Sequence, residues 1–213
     1  NHLGTLTLPQ ALKSFRDICP FVEVIVAEDT TANLEKRLLS GELDFAVMHA
    51  PKEASHAKLE YEILKRDPFV LVTPPGHPLI QRAEKKDGYP YPVLDIRLLE
   101  HQPMIMLDRQ QRIRQVTDAI LKLAGVSQVQ IVMTLKNYTT AQLLAGQGLG
   151  ITMVPLQYSQ LTIKQSSPVL LSIEEQYEPY WDMCIATLRD SFLSKADQLF
   201  IRCIRDLTSG SAV

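Results

Sequence analysis

The sequence has 213 residues, 46% of them hydrophobic, and 22 lysines and arginines against 24 aspartates and glutamates give a formal net charge of −2. This length allows one large domain or two small ones with a real core, and the balanced charge gives no indication of the basic surface that nucleic-acid binding needs. No apolar run approaches the roughly 18 residues of a membrane span and no signal segment opens the chain, so we expect a cytoplasmic protein without membrane contact.

The first quarter of the chain predicts helix, strand, helix and strand. Apolar residues recur at helical spacing before Pro20, at Leu8, Leu12, Phe15 and Cys19. Residues 22–27 alternate as a strand does, and a second helix runs from the Thr30-Thr31 pair to Gly41. The run LDFAVM, residues 43–48, is apolar nearly throughout, which indicates a central parallel strand buried on both faces.

The remainder repeats this alternation. Residues 59–73 hold two strand-like segments, LEYEIL and FVLVT, and the turn formers after Pro74 indicate a crossover into a second subdomain. There MIML (104–107) predicts a strand, residues 113–123 a helix, and VQIVM (129–133) a strand. Residues 181–188 are again strand-like, and residues 196–207 predict a terminal helix. Ligands of such layered sheets bind beyond the carboxyl ends of the strands.

The glycine-rich segment AGQGLGITMVP, residues 145–155, predicts a connection from a helix to a strand. A phosphate loop needs the opposite order, because the phosphate rests on the N-terminus of the following helix. Here a helical pattern precedes the glycines and a short apolar run ending at Pro155 follows them. We therefore expect Gly146 to end a helix with positive φ and Gly148 and Gly150 to form a tight return.

Four segments in this order resemble the effector-binding domain of LysR-type transcriptional regulators. They are LPQALKSFRDICPFVEVIV (8–26), TTANLEKRLLSGELDFAVM (30–48), LVTPPGHPL (71–79) and LLAGQGLGITMVP (143–155). The family's domain opens with a strand before its first helix, and the whole regulator carries a winged helix-turn-helix. We expect the first strand to be missing or reduced here and the winged helix-turn-helix to be absent, as in a trimmed chain.

The resemblance implies an α/β fold of two Rossmann-like subdomains around a cleft, as in type II periplasmic binding proteins. It places residues 1–73 and 181–213 in subdomain I and residues 74–180 in subdomain II. It implies a bacterial ligand-sensing domain that binds a small anionic metabolite in the cleft and changes the angle between the lobes. It also implies homodimers formed lobe to opposite lobe through the first helix and residues 22–27, tetramers as a further assembly of the whole protein, and DNA binding only through the missing domain.

Two predicted helix starts supply candidate effector-binding residues. Thr30 and Thr31 begin the second helix, and Asn137, Tyr138 and Thr139 begin the helix before the glycines. Helix capping alone is one interpretation of these polar residues. If the lobes face each other as the resemblance implies, both helix N-termini offer N–H donors to an anionic group in the cleft.

The other candidates follow predicted strands or precede the first helix. His49 comes directly after the LDFAVM strand and can hydrogen-bond to a ligand near neutral pH, with an exposed loop histidine as the alternative. Arg109 follows MIML and can clamp a carboxylate, whereas Asp108 is most simply a helix cap. The resemblance adds His2 and Thr5 as effector-binding residues.

Catalysis, metal binding and a cofactor are not indicated. Cys19, Cys184 and Cys203 are widely spaced without a CxxC pair, so neither a zinc site nor a disulfide framework is indicated. No Gly-x-Ser-x-Gly elbow is present, and the carboxylates are scattered as solvated surface charge is. We therefore expect no enzyme. A solute-binding protein of a transport system stays open as the alternative, and a small enzyme on the same scaffold as a weaker one.

Overall fold

In the computed structural model, residues 7–51, 56–159 and 167–209 are described. The chain divides into two compact units: unit 1 comprises Asn1–Arg66 and Asp182–Val213, and unit 2 comprises Asp67–Trp181. The chain thus leaves unit 1 after Arg66 and returns to it at Asp182.

Fourteen named elements carry the fold over the described residues, besides three short 3₁₀ helices. The helices are α1 (Leu8–Ile18), α2 (Thr31–Leu39), α3 (Arg112–Leu123), α4 (Tyr138–Gly146), α5 (Leu156–Ser159) and α6 (Lys195–Ser209). The strands are β1 (Phe45–His49), β2 (Leu59–Thr73), β3 (Val93–Leu94), β4 (Pro103–Leu107), β5 (Gln130–Leu135), β6 (Thr152–Pro155), β7 (Val169–Ile173) and β8 (Tyr180–Leu188). Among the described helices, none is long and apolar enough to cross a membrane.

Unit 1 packs α1 and α6 over an aromatic core. The rings of Phe15 on α1 and Phe200 on α6 stack with centroids 4.9 Å apart, and Phe45 of β1 meets Phe200 edge-on at 5.7 Å. Such pairs add about 0.5–1.5 kcal/mol beyond the burial of their area. Strand β1 pairs antiparallel with β8, from Phe45 opposite Thr187 to His49 opposite Met183. Helix α1 therefore forms because its apolar stripe has this surface to cover.

Two strand predictions for unit 1 are wrong. Residues 22–30 lie outside every strand, because a cavity of about 370 Å³ lined by 22–28 and 43–47 separates this segment from β1 and leaves it without a ladder there. Within the described ranges, the LDFAVM segment forms an edge strand rather than the predicted central parallel strand. Over the described residues, β1 pairs only with β8, in the antiparallel sense, and its residues alternate between half-buried and buried.

Unit 2 contains a layered α/β sheet. Strand β2 pairs antiparallel with β6 and β7, β3 runs parallel to β7, and β4 runs parallel to β5. A bridge between Met104 and Ile151 joins β4 to the residue before β6. The two strand-like segments of residues 59–73 are one continuous strand, β2. The core buries side chains from both faces, including Phe69, Leu71, Ile105, Ile120 and Trp181.

The glycine segment does connect a helix to a strand, as predicted. Helix α4 ends at Gly146 and β6 starts at Thr152. The residue with left-handed φ is Gly148, at +90°, rather than Gly146, and Gly150 has φ +152°. A Cβ on Gly150 would lie 3.1 Å from both Ile105 Cγ1 and Pro103 O. Gly150 is therefore required because the chain passes directly against β4.

Candidate functional site

The carboxyl ends of β4 and β5 meet at one edge of unit 2. The two strands are parallel with Leu107 opposite Leu135, and the Asp108 amide donates to the Leu135 carbonyl at 2.9 Å. Helix α3 begins shortly after β4, and α4 shortly after β5. Since both helices start beyond the same strand ends, the structure brings the predicted residues Arg109, Asn137, Tyr138 and Thr139 to one edge of unit 2.

Asn137 caps the start of α4. Its Oδ1 accepts from the Thr139 amide at 2.8 Å and from the Thr140 amide at 3.2 Å. Tyr138, the first helical residue, is half-buried, and burial raises the pKa of its hydroxyl while a hydrogen bond with the Thr139 side chain opposes this. The Tyr138 phenol therefore stays a neutral hydrogen-bonding group. The predicted capping role of Asn137 is confirmed.

Cations outnumber carboxylates at this edge. Arg109 is exposed, Arg112 starts α3, and Lys136 directly precedes Asn137, whereas Asp108 is the one acidic residue in 108–112 and 136–140. Asp108 is not the cap of α3: its Oδ1 accepts from the Gln110 amide at 3.0 Å, and α3 begins only at Arg112. The Gln111 side chain donates to the Lys136 carbonyl at 2.6 Å, which ties the two loops together.

In unit 1, the start of α2 already holds a carboxylate of its own. Thr30 is the N-cap, with its side chain accepting from the Asn33 amide at 3.4 Å. Asp29 Oδ1 accepts from the Thr30 amide and from Asn33 Nδ2, each at 2.7 Å. These hydrogen bonds lower the pKa of Asp29, that of Asn33 most, so the group is ionised at neutral pH. Thr31 is half-buried as the first residue of α2.

The other predicted residues divide between a described and an undescribed part of the chain. His49 is the last residue of β1, opposite Met183, and its Nδ1 is shielded from solvent. His2 and Thr5 lie outside the described residues. His49, Thr30 and Thr31 belong to unit 1, and Arg109 and the start of α4 belong to unit 2.

Two buried carboxylates were missed, so the expectation that all acids are solvated is wrong. Glu35 on α2 is 5% exposed, accepts from the Tyr61 hydroxyl at 2.8 Å, and has Oε2 3.9 Å from Nε2 of His56. Asp67 on β2 is 4% exposed and accepts from the Gln157 amide at 3.2 Å and from Trp181 Nε1 at 3.4 Å. The burial of Glu35 could have been predicted from the sequence, because helical spacing places it beside the apolar residues Leu34 and Leu38.

Two cavities lie within unit 1, and none of the predicted site residues that the structure describes lines either of them. The larger has both apolar and charged lining residues, with Phe15, Phe200 and Ile204 among the apolar ones. The smaller, about 350 Å³, is lined by residues 50–51 and 59–61 with Ile63 and Arg189. Across the described ranges, no group of three or more histidine, cysteine, aspartate or glutamate residues is placed to hold a metal ion.

Two of the three thiols are unsuited to nucleophilic chemistry. Burial, with Glu35 and Asp182 adding to it, raises the pKa of Cys184 to about 12. Cys203 is buried, and burial raises its pKa as well. Because the thiolate is the reactive form, both groups are inert at neutral pH.

The family model described as the LysR substrate binding domain matches residues 1–209 of this chain. The chain belongs to this family. Among curated relatives, the uncharacterized HTH-type transcriptional regulator YcgK of Bacillus subtilis is 26% identical over 95% of this chain. The probable hydrogen peroxide-inducible genes activator of Mycobacterium leprae is 30% identical over 70% of the chain, which covers 44% of that protein. This LysR-family chain spans 63% of the length of YcgK.

A solved structure of a regulatory domain confirms the fold. The regulatory domain of CcmR from Synechocystis PCC6803, in complex with 2-PG, superposes with a TM-score of 0.78 at 18% identity, covering 99% of this chain and 95% of that one. The predicted α/β class of the type II periplasmic-binding-protein kind is therefore confirmed. The chain is a LysR substrate-binding domain of the kind found in transcriptional regulators, and the transport alternative is not favoured.

Proposed function

We propose that this LysR substrate-binding domain senses a small anion at the edge of unit 2 formed by residues 108–112 and 136–140. The observation that carries this proposal is the meeting of two helix starts with three cations, Arg109, Arg112 and Lys136, beyond the ends of parallel strands. Helix N-termini favour anions through their N–H groups and their dipole. Asn137 Oδ1 already accepts from the Thr139 and Thr140 amides, so it holds the first turn of α4 in place while the helix dipole and the three cations attract the anion.

The start of α2 contributes differently. Asp29 brings a negative charge to that helix N-terminus, so the position repels rather than attracts an anion. We assign Arg109 and the α4 start to the charged group of the effector, and we keep Thr30, Thr31 and His49 as candidate effector-binding residues that offer neutral hydrogen bonds. Such an effector biases the protein between arrangements only through its different affinity for each.

The proposal for the whole protein extends beyond this chain. We assign units 1 and 2 to the two effector-binding subdomains, and DNA binding to a winged helix-turn-helix in another part of the protein, in the bacterial cytoplasm. We assign no catalytic role to the chain. A response to peroxide, which the name of the Mycobacterium leprae relative mentions, is not favoured for Cys184 and Cys203, because burial keeps both protonated.

Exposed apolar side chains on each unit support a homodimer formed lobe to opposite lobe. Unit 1 exposes four of them at the end of α1 and in the segment after it: Ile18 (58%), Phe21 (99%), Ile25 (84%) and Val26 (49%). We call these the α1 patch. Unit 2 exposes Leu123 (55%), Ile131 (45%), Val132 (38%) and Leu149 (48%), which we call the β5 patch. In a twofold dimer, the α1 patch of each copy covers the β5 patch of the other.

Replacing Arg109 with glutamine is expected to weaken anion binding while leaving stability unchanged. A charged hydrogen bond is worth about 1.5–3 kcal/mol, so Kd should rise roughly 10- to 100-fold. Exposed substitutions alter stability by about 0.5 kcal/mol or less. The measurement is calorimetry with a panel of small carboxylates and phosphates that includes 2-PG, beside thermal denaturation. Arg82→Gln, an exposed arginine elsewhere in unit 2, is the matched control.

Asn137→Ala and Thr30→Ala separate binding from capping in the same assays. We expect both to weaken affinity by a larger factor than the loss of the cap, about 1 kcal/mol, accounts for, and Asn137→Ala to have the greater effect. Equal losses of stability with unchanged affinity would reduce both residues to caps. No binding by any anion of the panel would contradict the proposed function itself.

A further inference from the structure

A row of aromatic side chains in unit 2 runs from the start of α4 to the two points where the polypeptide crosses between the units. The ring of Tyr138 lies 4.9 Å from that of Tyr158, and the ring of Tyr158 lies 5.7 Å from that of Trp181. Tyr138 is the first residue of α4, beside the Asn137 cap. Trp181 is the last residue of unit 2 and Asp67 is its first.

Polar contacts fix this row at both ends. Gln142, fully buried, donates from Nε2 to the carbonyls of Tyr138 at 3.2 Å and of Tyr158 at 3.3 Å. At the other end, Asp67 accepts from the indole N–H of Trp181 and from the amide of Gln157, the residue before Tyr158. Gln142 therefore bridges the backbones of the two tyrosines, and Asp67 bridges Trp181 to the residue before Tyr158.

The carboxylate of Asp67 is costly to bury and is suited to this place. A buried charge is retained only where donors satisfy it, and the two N–H groups from Gln157 and Trp181 do so with one oxygen each. An asparagine would present an NH₂ group to one of these two donors. The position of Asp67 thus requires a side chain whose two terminal atoms both accept hydrogen bonds. Asp67 is 4% exposed.

We infer that Tyr138, Tyr158, Trp181 and Asp67 form a relay between the α4 start and the two residues where the backbone crosses between the units, Asp67 and Trp181. A ligand or charge at the α4 start changes the surroundings of Trp181 and Asp67 through this relay. Tyr158 and Asp67 are positioning residues in this scheme, because they act through Tyr138 and Trp181 rather than on the ligand. The inference rests on the proposed function for its physiological input. It also makes Trp181, the one tryptophan of the sequence, an intrinsic reporter of the α4 start.

A test without ligand places a negative charge at the α4 start through Asn137→Asp. Aspartate caps a helix as well as asparagine does, so the fold is retained while the charge changes. We expect a shift in the emission maximum of Trp181 and in its quenching by acrylamide. Gln147→Glu adds the same charge at the other end of α4 and is expected to leave the emission unchanged.

The relay is then broken in the Asn137→Asp background. Tyr158→Leu removes the central ring and is expected to abolish the shift, as is Asp67→Asn. Because Tyr158 is buried, Tyr158→Leu can fail to fold, which circular dichroism detects. In that case Tyr138→Leu, at a half-buried site, tests whether the emission shift depends on the rings. A shift that survives the loss of either ring, or no shift with Asn137→Asp, overturns the relay.

A second arm uses ligand. The panel anions are titrated into the wild-type chain with calorimetry and Trp181 emission recorded together. We expect any anion that releases heat to change the emission with the same midpoint. Binding without an emission change overturns the relay and leaves the proposed function standing. Absence of binding, together with a shift from Asn137→Asp, leaves the relay standing and contradicts the proposed function.

Discussion

Replacing Phe21 with aspartate is expected to convert the dimer to monomers. Phe21 is 99% exposed in the α1 patch, with Ile25 84% exposed four residues on, and aromatic anchors of this kind contribute about 2–4 kcal/mol or more to an interface. Because both interfaces of the twofold dimer lose this anchor, the dissociation constant should rise by about 1000-fold or more. Sedimentation velocity across a concentration series measures the change. Phe192→Asp, at a phenylalanine that is 92% exposed outside either patch, is the control and should leave the dimer intact.

Mixing two variants tests the pairing of the patches. Ile131→Asp, in the β5 patch, is expected to give monomers as Phe21→Asp does. In an equimolar mixture, one copy keeps its β5 patch and the other its α1 patch, so one of the two interfaces is restored and heterodimers should form. Monomers in the mixture would contradict the pairing, and a monomeric wild-type chain would contradict the dimer.

Replacing Gly150 with alanine is expected to be the most destabilising single-methyl change in unit 2. The added Cβ would lie 3.1 Å from the Pro103 carbonyl oxygen, which is backbone and cannot move aside easily. Overpacking costs about 1–3 kcal/mol, and the φ of +152°, a region that side chains avoid, adds about 1–3 kcal/mol. Urea denaturation should show a loss of at least about 2 kcal/mol.

Gly148→Ala is the matched control for this prediction. Gly148 has φ +90°, and nothing lies within 4 Å of the position that a Cβ would take there. Its substitution carries backbone strain without a clash, so it should cost clearly less than Gly150→Ala. Equal losses at the two glycines would show that the approach of residue 150 to β4 has no energetic weight.

The elements whose pattern is local were predictable from the sequence. The Thr30 and Asn137 caps, the α4-to-β6 connection and the strand at 103–107 each depend on neighbours within a few residues, and all are present. The segment 22–27 has equally good alternation, but it forms no strand because alternation specifies a face and not a partner strand. The same limit explains β1, whose apolar run fits either a parallel or an antiparallel neighbour.

The site residues that were missed depend on distant partners. Asp67 is an ordinary acid in the sequence, and only the approach of Trp181, 114 residues later, makes it a buried acceptor. Asp29 likewise reverses the expected charge preference of the α2 start through two hydrogen bonds that capping rules alone do not specify. The sequence therefore predicted that both helix starts present N–H donors. It did not predict that the α2 start carries a carboxylate and the α4 start does not.

The most direct measurement is a backbone amide NMR titration of the isotope-labelled chain with 2-PG and the other panel anions. If the edge of unit 2 binds the charged group, the largest saturable shift changes should fall on the amides of residues 109–112 and 137–140, and Arg109→Gln should move their midpoint to roughly 10- to 100-fold higher anion concentration. Saturable changes confined to the cavity segments 22–28 and 43–47, with the α4 start unaffected, would contradict an anion site at this edge.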